Sequence, residues 1–489
     1  MRIQNMQSLT NHGNIKGRTH MAQILEAGLS AGDPYINTKK LVKVEGDKLY
    51  IGHPDFEPHQ ALKTGVDVID FKDIDNIYVV GAAKGIQRIG LAFEEILGDR
   101  LTGGHIIGKH GDPMECSKIG VTLAGHPVPD KYCVEGCEKI YELSKKVTER
   151  DLVFTVVGNG VSSLLTWPSE GIDIDEVSDL TYMMQIEKGV STEELNTIRN
   201  HVDRMKGGRF SRYFSKARLV HIVAIDIAKA TSPALKRPED VVLSSNIWLH
   251  SLSEGSTFGD AVRVLKFWDA WDRTPKSIQD HLLKADPNDE TVKKDEFLKM
   301  NYRLFGIMPK DKTTLKAAMD KAEELGYSTV MYTDWMRAES KDAGKVLASV
   351  ALTAERMGEP FKPPVAIFTG GEIIVTVGDE TGVGGRNQEY TLSAATIIKG
   401  SEKVIFGGVD TDGTDGPGGL AELIPGAPEC LTGGITDGFT IQEAKERGVD
   451  VASALKTHGT SEALWKLDSG IHAEQNISVG DIGCVLVME

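Results

Sequence analysis

The sequence predicts an α/β protein made of two α/β domains, and three observations lead there. The chain has 489 residues, beyond the roughly 250–300 at which one hydrophobic core stops growing. Short apolar runs of strand length alternate with amphipathic runs of helix length, the pattern of α/β layers with mainly parallel strands. Three of the apolar runs pass straight into glycine-containing or small-residue turns, at the strand ends where open α/β sheets bind ligands.

In chain order, residues 1–20 are polar and read as an N-terminal extension. Residues 77–80 form the first strand, followed by Gly81-Ala82-Ala83-Lys84 and a helical stretch over 86–97. A second strand over 151–157 enters Gly158-Asn159-Gly160-Val161-Ser162-Ser163. A third, over 219–227, runs into Lys229-Ala230-Thr231-Ser232-Pro233. Between 276 and 300 charge rises around the turn cluster Asp286-Pro287-Asn288-Asp289, which places the main boundary there and divides the chain into domains 21–285 and 286–489. Beyond it a helix is predicted over 313–325, because Leu315, Ala318, Met319, Ala322 and Leu325 share one face and Gly326 supplies the C-cap. Strands are predicted over 365–369, 373–377, 404–409 and 484–488, giving a second α/β domain.

Composition narrows the function. A net charge of −16 opposes a nucleic-acid partner, which would need a basic patch to neutralise phosphates. No apolar run reaches the roughly 18 residues of a membrane span. Five scattered cysteines and the lack of an apolar core in the first 25 residues predict reduced thiols and a cytoplasmic protein. Cys133 and Cys137 fall one turn apart on a helix, without the second ligand pair a zinc site needs.

Two familiar phosphate motifs fail here. As a dinucleotide fingerprint, the turn at Gly81 has Ala83 and Ile86 where the second and third glycines belong. The stretch from Gly103 to Lys109 is close to a Walker loop, but His110 stands in place of the hydroxyl residue that would hold magnesium, and 105–107 reads as strand.

What remains points to phosphoryl chemistry. Lys84 places a cation in a first helical turn, where the dipole disfavours it unless an anion binds. The loop Gly158, Asn159, Gly160, Ser162, Ser163 offers consecutive donors for an anion. The run 196–209 brings Asn196, Arg199, Lys206 and Arg209 into an otherwise acidic chain. Gly384-Gly385-Arg386-Asn387-Gln388-Glu389 and Asp410-Thr411-Asp412-Gly413-Thr414-Asp415-Gly416 combine a glycine-rich arginine loop with clustered acids, the needs of phosphate and a divalent cation.

These segments, with Gly125-His126-Pro127-Val128-Pro129-Asp130, together resemble the type 2 glycerate kinase family, whose C-terminal region is called MOFRL. The resemblance runs in register from Ala22 to the end of the chain. It implies a Rossmann-like N-terminal domain and a mixed C-terminal α/β domain flanking a cleft, in which D-glycerate is phosphorylated from ATP with magnesium, usually on the 2-hydroxyl. The family's essential lysine matches Lys84 and its functional arginine Arg386. Glu372, in Thr369-Gly370-Gly371-Glu372, also matches the pattern.

The resemblance therefore implies Lys84 and Arg386 as catalytic cations. Substrate or phosphate would be held by residues of the Gly158 loop, Asn196, Arg199, Lys206, Glu372, Asn387, Gln388 and Glu389, and magnesium by Asp410, Asp412 and Asp415. Arg386→Ala is expected to lower turnover with little loss of fold.

The chain departs from the family in the Gly158 loop, where Asn159 replaces a small residue, after Asp226, at 227–231, and at Ser253-Glu254-Gly255-Ser256-Thr257. Substrate identity therefore stays open to a related small hydroxy acid. Two other readings are an NAD(P)H-dependent hydroxypyruvate reductase and a catalytically lapsed protein binding sugar acid or nucleotide.

Overall fold

The computed structural model describes residues 1–225, 238–476 and 480–489. The expected strand end and turn over 226–233, and the departure at 227–231, lie outside the described residues. Contacts divide the chain into two units, Pro34–Pro309 and a second formed by Met1–Asp33 with Lys310–Glu489.

Besides a small antiparallel sheet of Val42–Glu45, Lys48–Ile51 and Asp67–Asp70, the unit Pro34–Pro309 has a main sheet of six strands: β1 (Ile77–Ala82), β2 (Gly103–Lys109), β3 (Gly120–Ala124), β4 (Leu152–Gly158), β5 (Arg218–Ala224) and β6 (Tyr302–Gly306). All pair in parallel, in the order β3-β2-β1-β4-β5-β6. That is the doubly wound order of dinucleotide-binding folds. Every residue of β1 and β4 is buried, as expected where helices cover both faces of a parallel sheet. Gln87–Leu97 follows β1, and its Phe93 stacks on Phe154 of β4 with ring centroids 4.5 Å apart. The stretch that resembles a Walker loop is β2, as its strand reading predicts.

β6 explains why the sequence-derived boundary falls early. The charged stretch before it forms short helices, Lys276–Lys284 and Lys294–Phe297, but the chain must still return to pair Tyr302 beside Leu219 of β5. The boundary by contact is Pro309.

The other unit carries a mixed sheet of β7 (Ser328–Met336), β8 (Val365–Gly371), β9 (Val404–Asp410), β10 (Gly433–Asp437), β11 (Gly470–Ile471) and β12 (Asp481–Val487). Its order is β7-β8-β12-β9-β10-β11. Only β7 and β8 run parallel, and the remaining pairs are antiparallel. The predicted helix appears as Thr314–Glu324, with Leu315, Ala318 and Ala322 buried and Gly326 at φ +92°.

Two expectations need correction in this unit. The polar N-terminus is not a separate extension: Ile15–Ala31 is a helix whose Met21, Ala22, Leu25 and Leu29 pack into one core with Ile405, Val409 and Ile482. Its fit is close, since a Cβ on Gly407 would lie 2.5 Å from the Met21 sulfur. Polar residues obscure that apolar face because Arg18 is buried too, its Nη1 3.3 Å from Asp437 and its Nε donating to the Leu9 carbonyl at 2.7 Å. Second, residues 373–377 form no strand beyond a single bridge from Ile374 to Glu339. Gly371 ends β8 at φ +135°, and the Ile373 amide donates to the Asp481 carboxylate at 2.9 Å instead of to a neighbouring strand.

Candidate functional site

Each unit gathers its own group of predicted residues. In Pro34–Pro309 the place is the strand reversal between β1 and β4, where chains leave the sheet in opposite directions and open a ligand crevice. The Lys84 amide donates to the Asn159 carbonyl at 2.8 Å, tying the two strand-end loops together. Gly160, at φ +83°, leaves room that a side chain would fill: its Cβ would lie 2.9 Å from Lys84 Cγ and 3.1 Å from His126 Cδ2. Ser163 donates to the Gly125 carbonyl at 2.9 Å. Lys84, Gly160 and His126 thus meet, although they are far apart in sequence.

A buried polar chain extends this cluster. Asn196 Nδ2 donates to Ser162 Oγ at 2.9 Å, and Ser162 Oγ also pairs with His250 Nε2 at 2.9 Å. Asn196 and Arg199 share a face of Thr192–Arg199, one turn apart. Arg199 donates to Asn196 Oδ1 and Gln185 Oε1, both at 3.3 Å. Among the described residues it has no ion-pair partner, and burial lowers its pKa to about 10. His126 is pushed down to about 4, first by burial and then by Lys84, Lys109 and Arg199. The His126 imidazole is thereby kept neutral in the field of three cations.

Lys206 does not belong to it. Its ammonium donates to the Leu165 carbonyl, Thr166 Oγ1 and Asp203 Oδ2 at 2.8, 2.8 and 2.7 Å, which uses all three donors. Arg209 is likewise spent on the carbonyls of Asn200 and Lys206. Arg209 thereby holds the backbone just after Arg199, and Lys206 ties the 165–166 segment to Asp203. Lys206→Met should therefore leave Asp203 buried without its counter-ion, at a cost of about 3 kcal/mol, read as a lower melting temperature with KM for the acid unchanged.

In the unit of the mixed sheet, Arg386 opens the helix Arg386–Ile398. Its Nε donates to Asp481 Oδ1 at 2.9 Å and Oδ2 at 3.1 Å, and its Nη2 to Asp410 Oδ2 at 2.7 Å. Glu372 lies 3.9 Å from Nη1. Asp410 and Asp481 face each other across β9 and β12. Burial raises both carboxyl pKa values; Asp412 adds to the rise at Asp410, and Arg386 opposes it at both. Sequence reasoning missed Asp481, whose only signal is an acid heading an otherwise apolar final strand.

The expected magnesium triad separates into different roles. Asp415 is the helix cap, accepting from the amides of Asn387 at 3.1 Å and Gln388 at 2.9 Å, and burial lifts its pKa to about 6. Asn387 Nδ2 bridges Asp415 and Asp481. Gln388 binds the Asp415 carbonyl at 2.7 Å and accepts from Ser461 at 2.6 Å. These two side chains position the acids and are themselves buried. Asp412 accepts from the Thr414 amide and hydroxyl at 2.8 and 2.9 Å.

Among the described residues, the one trio of His, Cys, Asp or Glu ligand atoms lying within 4.8 Å of one another is His201, Glu254 and Glu290. Lys293 already sits there, 3.2 and 3.3 Å from the two glutamates. Glu254, from the departing turn at 253–257, is thus part of an internal ion network. Hard carboxylate oxygens suit magnesium; Asp415 spends both oxygens on helix amides, which leaves Asp412 and Asp410 as the acids that would hold the ion, Asp410 while also accepting from Arg386 and the Asp412 amide.

Arg386, Glu372 and Glu389 border a cavity of about 900 Å³, together with Arg337, Ile374, Val377, Gly384 and His458. Glu389 Oε1 pairs with His458 Nδ1. Among the described residues, no helix is long and apolar enough to cross a membrane.

Known proteins share this organisation. The domain-of-unknown-function family DUF4147 matches residues 20–283, and the MOFRL family matches 365–477. The chain is 30% identical over 452 residues to the glycerate 2-kinase of Pyrococcus horikoshii, covering 91% of each chain. It is 31% identical over 412 residues to the D-glycerate 2-kinase of Thermotoga maritima, covering 84% of this chain and 89% of that one. The crystal structure of glycerate kinase from Thermotoga maritima superimposes with a TM-score of 0.75 at 28% identity, covering 96% of this chain and 99% of that one. A parallel sheet in dinucleotide-fold order and a MOFRL region, matched over nine-tenths of a relative's length, place the chain in the type 2 glycerate kinase (MOFRL) family.

Proposed function

We propose that this protein transfers the terminal phosphoryl group of ATP to the 2-hydroxyl of D-glycerate, or of a closely related small hydroxy acid, with magnesium. The observation that carries the reading is the convergence of Lys84, Gly160 and His126 at the strand reversal, with the buried Arg199 nearby. It is compact, cationic and suited to a small carboxylate. Arg199, Asn196 and the Ser162 hydroxyl orient the acid, and Lys84 neutralises charge on the oxygen that attacks.

Phosphoryl transfer needs positioned cations more than covalent help, because negative charge spreads over the moving group. Arg386 supplies one such cation, held in a fixed direction by Asp410 and Asp481. Magnesium bound through Asp410 and Asp412 would neutralise the donor's phosphates. The glycine fingerprint speaks against nicotinamide-dependent reduction, although the sheet has dinucleotide-fold order: Ala83 and Ile86, at positions where that fingerprint needs glycine, are both buried.

The test is a coupled ADP assay across three- to six-carbon hydroxy acids, with phosphorus NMR to locate the phosphate. ADP release that depends on both D-glycerate and magnesium, with 2-phosphoglycerate as product, is the expected result. Silence across the whole panel would refute the kinase reading, and retained ATP affinity without turnover would support a lapsed binding protein.

A further inference from the structure

The donor of a kinase needs more room than a three-carbon acid, and the cavity beside Arg386, about 900 Å³, falls within the roughly 300–1,000 Å³ of small-molecule sites. Its lining is divided chemically. One wall is the strip after β8, where Ile374 and Val377 remain 53% and 48% exposed, an unusual placement for branched aliphatic side chains beside a charged site. Arg337 lies over the Trp335 ring at 4.4 Å and forms no ion pair among the described residues.

Glu389 is the decisive group. It is 1% exposed, one oxygen pairs with His458, and the other has no hydrogen-bond partner. Buried polar atoms are seldom left so, and each asks for a missing partner. The His458 side of the pair is also held in place, because the glycine segment lining the cavity is pressed against the His458 backbone. A Cβ on Gly384 would lie 2.2 Å from the His458 carbonyl, and one on Gly382 2.0 Å from that of Thr457.

We propose that this cavity is the nucleotide site, and that Glu389 Oε2 accepts a hydrogen bond from a ribose hydroxyl. The proposal rests on the kinase reading above. A carboxylate oxygen repels phosphate, and of the groups a nucleotide carries a ribose hydroxyl is a donor it can accept from. Glu389 stands one turn beyond Arg386 on the same helix face, about 5–6 Å on. That separation suits a ribose between phosphates at Arg386 and a base laid on Ile374 and Val377. Arg337 adds a second cation for the phosphate chain.

Calorimetric titration of the whole protein with ATP, 2′-deoxy-ATP and 3′-deoxy-ATP, with magnesium and no acid present, tests this. The wild type is expected to bind one deoxy analogue about tenfold or more weakly than ATP, the size of a lost hydrogen bond to a charged group. Glu389→Gln should weaken ATP and shrink that discrimination. Ile374→Glu alters an exposed side chain whose backbone bonds remain, and should weaken all three nucleotides at least about tenfold by putting charge where the base lies.

Unchanged ATP affinity in Ile374→Glu would overturn the cavity assignment, as would absence of ATP binding in the wild type. Equal affinity of the wild type for all three nucleotides would overturn the role of Glu389. Nucleotide binding as described, without ADP formation from any acid, would instead refute the proposed reaction and leave the site standing.

Discussion

Arg386→Ala is expected to reduce turnover by about 10³- to 10⁵-fold, the contribution of a well-placed arginine to phosphoryl transfer. The structure adds a second effect, contrary to the expectation of an intact fold. Arg386 is the counter-ion of Asp410 and Asp481, which are both buried. Removing it leaves two carboxylates in a low-dielectric setting, a loss of about 3–5 kcal/mol for a broken buried pair.

The pH dependence carries a definite sign. Burial already raises the folded-state pKa of both acids, with Arg386 holding them down. Without Arg386 those values rise further. A carboxyl whose folded pKa exceeds its unfolded value loses stability as pH climbs from the unfolded value through the folded one, and regains it as pH falls. The variant's deficit should be larger near neutrality than near about pH 5. Thermal melts across that interval would show it, and a deficit independent of pH would refute the counter-ion role.

Arg386→Lys separates the two effects. Lysine keeps the charge, but one ammonium cannot reproduce the planar fork that meets Asp481 through Nε and Asp410 through Nη2. It should recover more stability than turnover. Unchanged turnover in the alanine variant, measured on protein of native circular dichroism, would remove Arg386 from the chemistry.

Lys84→Met should lower turnover by about 10²- to 10³-fold, comparable with losing one preorganised donor to developing charge. Its fold should survive, because the bond that joins the two loops comes from the Lys84 backbone amide to the Asn159 carbonyl, which methionine retains. The His126 imidazole provides a readout apart from activity. Lys84 is among the cations that depress its pKa to about 4, so removing the ammonium should raise it toward the usual histidine value, followed by NMR of the ring. An unmoved His126 titration would mean that the ammonium does not face that ring.

Much of this architecture is written in local pattern. The apolar run at β1, the glycine turn beyond it and the amphipathic helix before Gly326 each follow from residues close in sequence, where side-chain periodicity and backbone conformation act directly. The candidate motifs were legible for the same reason: glycines, arginines and acids crowded into short segments announce a backbone that must approach something charged.

Partnership across distance was not legible. Lys84, Arg199 and Lys206 are alike as cations in a sequence, yet Lys206 is consumed by Asp203 and two oxygen acceptors, whereas Arg199 donates to the side-chain amide oxygens of Asn196 and Gln185. Asp415 looks like its neighbours Asp410 and Asp412, but the start of the helix Arg386–Ile398 claims both its oxygens. Asp481 became visible only through the β9–β12 register that sets it opposite Asp410. Likewise the polar-looking N-terminus joins the mixed sheet because one helical face finds Ile405 and Ile482.

By itself, the sequence determined the α/β class, the parallel strand–turn–helix units and the family resemblance, all properties of contiguous residues. Tertiary structure alone decided which cations remain available to an anion, which acids serve the backbone and where the chain divides. Those outcomes depend on burial and on hydrogen-bond partners brought from distant segments, and a charged group acquires its role only when its partners are in place.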